Sequence, residues 1–151
     1  MKYFCLITFF VLLLGACTTD NASQNEASTA TTIEEEPVYS TAQEMPRFPG
    51  CEDLAGTPRQ ACANKKLLEY VRAELKYPEE AKAAKLEGQA VIGFNVEKNG
   101  AVSKVEIIRD PGKGIGEEAA RIVRSLPKFI PAKEKGETVI VRYNLPIRFK
   151  L

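Results

Sequence analysis

The chain of 151 residues contains no histidine and no tryptophan. Without histidine, Ser-His-Asp and Cys-His catalysis and the His-containing zinc sites are excluded. Neither sign of charge is in excess, with 21 Lys and Arg against 20 Asp and Glu for a net charge of +1. A protein that holds nucleic acid needs a basic surplus, so nucleic acid is not expected as a partner. The mostly apolar run from Tyr3 to Ala16 spans about 21 Å as a helix, against roughly 30 Å for the hydrocarbon core of a bilayer, so it is too short for a comfortable membrane span. The acids left as catalytic candidates, such as Asp53 and Asp110, are not paired by any pattern and read as turn or surface residues. We therefore expect no enzyme, no catalytic residue, no cofactor and no metal.

What the N-terminus does have is an export signal. Met1-Lys2 carries the positive charge, an apolar stretch follows, and Leu14-Gly15-Ala16-Cys17 ends it. A short apolar core after a basic start reads as a cleaved signal rather than a retained span. The last four residues resemble the lipobox of bacterial lipoproteins, in which small residues precede a cysteine that is acylated before cleavage. Residues 1–16 are then the signal peptide, Cys17 is the lipidated first residue of the mature chain, and Cys5 is lost. The alternative is an ordinary signal peptide with a chance cysteine.

Residues 17–44 are poor in hydrophobics and rich in Thr, Ser, Ala, Asn and Glu, with an acidic run at Glu34-Glu35-Glu36. Such a composition cannot offset its ordering entropy and reads as a flexible tether, with a coil reach of roughly 30 Å. Its one proline, Pro37, does not make a stiff spacer. The folded domain is expected over residues 45–151.

The turn-rich stretch Met45 to Cys62 contains Cys51 and Cys62, the only cysteines besides Cys5 and Cys17. In an exported chain they favour a disulfide. The rival, a metal or redox pair, lacks histidine and C-x-x-C spacing. Asn64 can cap a helix carrying Leu67, Leu68, Val71 and Leu75 at helical spacing, which ends at Tyr77-Pro78. A second helix runs from Glu79 to Leu86. Gln89 to Glu97 alternates at period two, Asn99-Gly100 predicts a type I′ hairpin turn, and Ala101 to Arg109 returns. Asp110 to Gly116 reads D-P-G-K-G-I-G. A phosphate-binding reading of this loop is disfavoured because it fits neither G-x-G-x-x-G nor the Walker spacing, and because Glu117 and Glu118 occupy the helix start. A helix over Glu117 to Leu126 follows, packing through Ala119, Ala120, Val123 and Leu126, and Lys133 to Gly136 is a polar turn.

The strongest signal is the last stretch, Val139 to Leu151. Every odd position is apolar, and most even ones are polar or basic, which describes a strand with one buried face. Pro146 lacks an N–H, as suits an edge strand or a bulge. An edge strand is a template for another chain's backbone. The order of elements predicts an α+β domain of two layers: a three-stranded antiparallel sheet with helices packed on one face.

From Met45 onward the chain resembles the C-terminal domain of the TonB family. The matching pieces are M-P-R-F-P-G from Met45, Y-P-E-E-A-K from Tyr77, G-Q-A-V-I-G-F-N-V-E-K-N-G from Gly88, E-E-A-A-R-I-V from Glu117, L-P-K-F-I-P-A-K-E-K-G from Leu126 and the terminal Y-N-L-P-I-R-F-K-L. Phe129 stands where many relatives have tryptophan. The resemblance implies a periplasmic domain, in the envelope of a Gram-negative-type bacterium, that pairs its last strand with the TonB-box segment of an outer-membrane transporter. Carried onto this chain, the pairing edge is Val139, Ile140, Val141, Arg142, Tyr143, Asn144 and Leu145, with Arg142 as an outward contact to the peptide. The energy-transducing members have an uncleaved membrane helix with a histidine and a long proline-rich spacer, and this chain has neither. The expectation is therefore a module attached to a membrane through a lipid anchor. Its partner is a TonB-box segment or an extended segment of another envelope protein. The alternative is a structural or assembly lipoprotein using the same edge to dock or to form a homodimer.

Overall fold

The structure, a computed structural model, describes residues 36–151. The expected signal peptide, Cys17 and most of the expected tether lie outside the described residues.

The alternating C-terminal stretch forms one long strand, β5 (Glu137–Phe149). The elements before it are β1 (Val38–Tyr39), α1 (Gly56–Glu74), α2 (Glu79–Ala83), β2 (Gly88–Val96), β3 (Val102–Arg109), α3 (Ile115–Arg124) and β4 (Ala132–Glu134). β2 lies between β3 and β5 and pairs antiparallel with both. Leu145, Ile147 and Phe149 of β5 are buried with Ala90, Ile92 and Phe94 of β2. The same core takes in Leu67 and Val71 of α1 and Ala119, Ala120, Ile122 and Val123 of α3. The domain is thus α+β, as the patterning predicts, with the period-two face meeting the helical stripes.

The expected three-stranded sheet is corrected by two further strands. β1 pairs parallel with β5, Val38 opposite Ile140 and Tyr39 opposite Val141. β4 pairs antiparallel with β5, Ala132 opposite Val139. Two- and three-residue strands are too short to show an alternation, so nothing local in the sequence marks them. The segment leading out of β1 also joins the fold: Glu44 and Lys133 exchange backbone hydrogen bonds at 2.9 Å in each direction, and Arg47 and Ile130 do the same at 3.0 and 2.9 Å. Residues 36–44, the end of the expected tether, are therefore part of the folded body.

The first two helices differ from expectation at their ends. α1 begins at Gly56, eight residues before Asn64, and Asn64 accepts from the Gln60 side chain at 3.2 Å instead of capping. Gly56 and Pro58 read as turn formers in the sequence, but proline is tolerated in a first turn, where its missing N–H has no partner to lose. α2 stops at Ala83, and Lys85 takes a left-handed φ of 49°.

The hairpin turns are exchanged relative to expectation. At Asn99-Gly100 only Gly100 has positive φ, the Gly100 N–H donates to the Glu97 carbonyl, and the loop is longer than the two-residue type I′ form. The pair with positive φ at both central positions is Lys135-Gly136 (51° and 85°), between Glu134 and Glu137, which are paired. The polar turn expected over Lys133 to Gly136 is thus a strand end and a tight hairpin.

In the glycine loop, Asp110 Oδ1 accepts from the N–H groups of Gly112 and Gly116, both at 2.8 Å. A Cβ on Gly116 would lie 2.5 Å from the Asp110 carboxyl carbon. The loop therefore folds around the chain's own carboxylate at the positive end of α3.

Candidate functional site

β5 carries every residue of the expected pairing edge, and the sheet order decides what is free there. On one side β2 takes Val141 to Phe149 without a register shift. Val139 is held by β4, and Ile140 and Val141 by β1. From Arg142 onward, nothing among the described residues pairs with the side opposite β2. The expected stretch is therefore divided. Val139, Ile140 and Val141 meet the chain's own strands, whereas Arg142, Tyr143, Asn144 and Leu145 begin an open edge that continues to Phe149.

The side chains along this edge have separate tasks. Leu145 is buried in the core. Tyr143 faces the core, with its ring 5.5 Å from that of Phe94 and 6.4 Å from that of Phe129. Burial pushes its phenol above the ordinary pKa, so it stays neutral. Asn144 is exposed. Arg142 does not point away from the sheet edge. It lies over Gly93 of β2 and reaches β3, where Nη2 donates to Glu106 Oε2 at 2.6 Å and Nη1 to the Lys104 carbonyl at 3.1 Å.

The core behind the edge is aromatic. Phe129 meets Phe48 edge-on at 5.9 Å and Phe94 at 6.1 Å, and Phe48 meets Tyr70 at 5.8 Å. α1 is fixed against α3 by polar contacts: Tyr70 donates to the Ser125 carbonyl at 2.6 Å, and Arg121 donates to the Glu74 carbonyl at 2.8 Å. The Arg121 guanidinium also grips Glu118 with two bonds of 2.8 Å, and the Lys76 N–H donates to the same carboxylate. Those hydrogen bonds, Arg121's first, hold the Glu118 carboxyl below its usual range.

Between α1 and the open part of β5 runs a groove of about 270 Å³. Leu68, Val71 and Leu75 line its helix side, and Leu145 and Ile147 its strand side. The sequence places Leu68 in the packing stripe of α1, yet it is 46% exposed. Only the strand order could show that the edge beside it carries no neighbour.

Cys51 and Cys62 are joined in a disulfide that ties the loop before α1 to the helix, with the Cα atoms 6.1 Å apart. Asp53 is exposed in a turn, and Asp110 serves the glycine loop. Among the described residues no three His, Cys, Asp or Glu gather as a metal site would require, and no helix is long and apolar enough to cross a membrane.

Residues 73–151 match the family model described as the Gram-negative bacterial TonB protein C-terminal. The chain belongs to this family. The match runs from the end of α1 through β5 and so contains the whole open edge. Two NMR solution structures of the Helicobacter pylori TonB C-terminal domain are similar to the chain. One has 18% identity and a TM-score of 0.44, covering 58% of this chain and 91% of that one. The other has 16% identity and a TM-score of 0.41, covering 58% and 81%. No curated protein matches the chain.

Proposed function

We propose that this TonB C-terminal family member is a lipid-anchored, periplasmic peptide-binding module. It takes an extended, TonB-box-like segment of an outer-membrane transporter, or of another envelope protein, as an added strand on β5. The reading rests on one observation: the side of β5 opposite β2 has no partner among the described residues from Arg142 to Phe149. Unpaired N–H and C=O groups in a row give a generic affinity for any extended backbone, and neighbouring side chains set the selectivity. Membership in the family supports the partner class. The lipobox at Leu14 to Cys17 supports the anchor, with Cys17 as the acylated residue. On this reading the docking residues are Arg142 to Phe149; Ile140 and Val141 are reached only if β1 lifts away, and Val139 only if β4 does.

An amide-shift titration of the full chain in neutral detergent micelles, with TonB-box peptides from the same cell, tests the proposal. The expected result is a set of shifts concentrated on residues 142–149. Saturating peptide that leaves those amides unmoved would refute it. Mass spectrometry of the membrane-extracted chain tests the anchor, which is wrong if the mature chain does not begin at an acylated Cys17.

A further inference from the structure

The groove between α1 and β5 opens beside the free part of the strand, and its two sides differ in chemistry. Toward the helices it is apolar, through Leu68 and Val71 of α1, Leu75 just after it, and Leu145 and Ile147 of β5. Arg72 of α1 stands at its rim, and Arg148 and Lys150 line its strand end. Arg148 of β5 projects to the sheet face away from the helices, opposite to Ile147 and Phe149, and Lys150 follows just past the end of the strand. None of these three cations has a carboxylate partner among the described residues. By contrast, Arg142, the cation nearest the start of the edge, is engaged by Glu106.

We infer that the groove selects what the edge binds: an extended segment in which apolar and acidic residues alternate. The inference rests on the strand-addition reading above and adds the chemistry of the partner. A strand added to β5 lies about 4.8 Å away, and its side chains alternate between the two faces. Those on the helix side enter the groove beside Leu68, whose exposed face they cover. Those on the other side stand opposite Arg148, at the spacing where cross-strand charge pairs interact, with Lys150 just beyond the strand end. Apolar residues on both faces would leave Arg148 facing hydrocarbon, and basic residues would be repelled by it and by Lys150. Alternation of apolar and acidic residues satisfies both faces at once.

The test uses a blocked synthetic peptide, Thr-Glu-Leu-Glu-Val-Glu-Thr. One counterpart carries Gln at each Glu, and another carries Ala at Leu and Val. Each is titrated into the full chain in micelles, with β5 amide shifts reporting the place and the strength of binding. The inference expects the acidic peptide to shift residues 142–149. It expects the Gln peptide to bind about fivefold or more weakly. The Ala peptide loses about tenfold or more. Leu68→Glu is expected to weaken the acidic peptide about tenfold or more, and Arg148→Gln is a second variant on an exposed strand position that does not depend on the helix. If all three peptides shift β5 with equal affinity and neither variant changes it, strand addition stands and the selectivity inference falls. If no peptide moves β5, both fall.

Discussion

The Arg142 guanidinium lies across the outer face of the sheet and donates to Glu106 Oε2 at 2.6 Å, although β2 separates their strands. Gly93 makes this crossing possible, because a Cβ there would lie 2.5 Å from Arg142 Nη2. The second contact, to the Lys104 carbonyl, meets a bulge. Gly93 pairs with Glu106 and Asn95 with Ser103, so Lys104 and Val105 together oppose the single residue Phe94. Lys104 has a left-handed φ of 45°, and its carbonyl is turned to the arginine. Arg142 is a clamp within the sheet.

Arg142→Ala should therefore act on stability and hardly on binding. Glu106 is 69% exposed at its side chain, so the ion pair is largely screened. We expect a loss of about 1 kcal/mol or less in urea unfolding. Peptide affinity at the open edge should change less than about threefold. A tenfold loss of affinity with unchanged stability would return Arg142 to the role that the sequence suggests for it, as a peptide contact.

Reduction of Cys51–Cys62 should loosen the start of α1 first. Their separation of 11 residues corresponds to a loop-closure contribution of about 2.7 kcal/mol on the chain-entropy model. The family match begins only at residue 73, so the bridge belongs to the part of the fold outside it. Urea unfolding with and without reductant measures the contribution, with the Cys51→Ser, Cys62→Ser double variant as the control. A difference below about 0.5 kcal/mol would mean that contacts such as the Phe48–Tyr70 pair hold that end of the helix unaided.

Much of the fold was legible because its signals are local. The alternation in β5, the stripe Ala119, Ala120 and Val123 in α3 and the turn residues at Asn99-Gly100 each mark an element within a dozen residues. β1 was not legible, because Val38 and Tyr39 become a strand only by meeting Ile140 and Val141 at the other end of the domain. The free limits of the edge follow from that same long-range pairing. The use of Arg142 was hidden for a related reason. It requires a glycine on β2 and a bulge on β3, and a lysine at positive φ gives no sign of itself in sequence.

Glu118 makes the joint between α1 and α3 sensitive to acid. Its carboxylate is held by Arg121 and by the Lys76 N–H, and its pKa is lowered from 4.5. The folded state thus prefers the ionised form more than the unfolded chain does. Its contribution is complete above the unfolded value and is lost as pH falls through the lower, folded one. Glu118→Gln should cost about 1–2 kcal/mol at pH 7. The gap between variant and parent should narrow steadily once the pH drops below about 4.5. Urea midpoints for both proteins at neutral and acid pH measure it. A gap that stays constant would show that shape, and not charge, fixes the joint.

Pro146 limits what the open edge accepts. It sits opposite Val91, and the β2 ladder continues through it to Phe149 without a shift. Proline has no N–H to give that ladder, so it fits only where the missing donor would face away from β2. That direction is the open side. An added strand therefore finds one donor absent in the middle of its track, and so does a second copy of this chain. Edge prolines restrain indiscriminate pairing in this way. Pro146→Val restores the donor and puts a β-branched side chain, which suits a strand, on the exposed face. We expect stability to change by less than about 1 kcal/mol, because no bond to β2 is gained or lost. Peptide affinity should rise about fivefold, in keeping with one more backbone hydrogen bond. Self-association should rise with it, visible in sedimentation as a shift from monomer toward dimer with concentration. A variant that binds and sediments like the parent would place the Pro146 ring against β2 and would move the docking register away from the middle of β5.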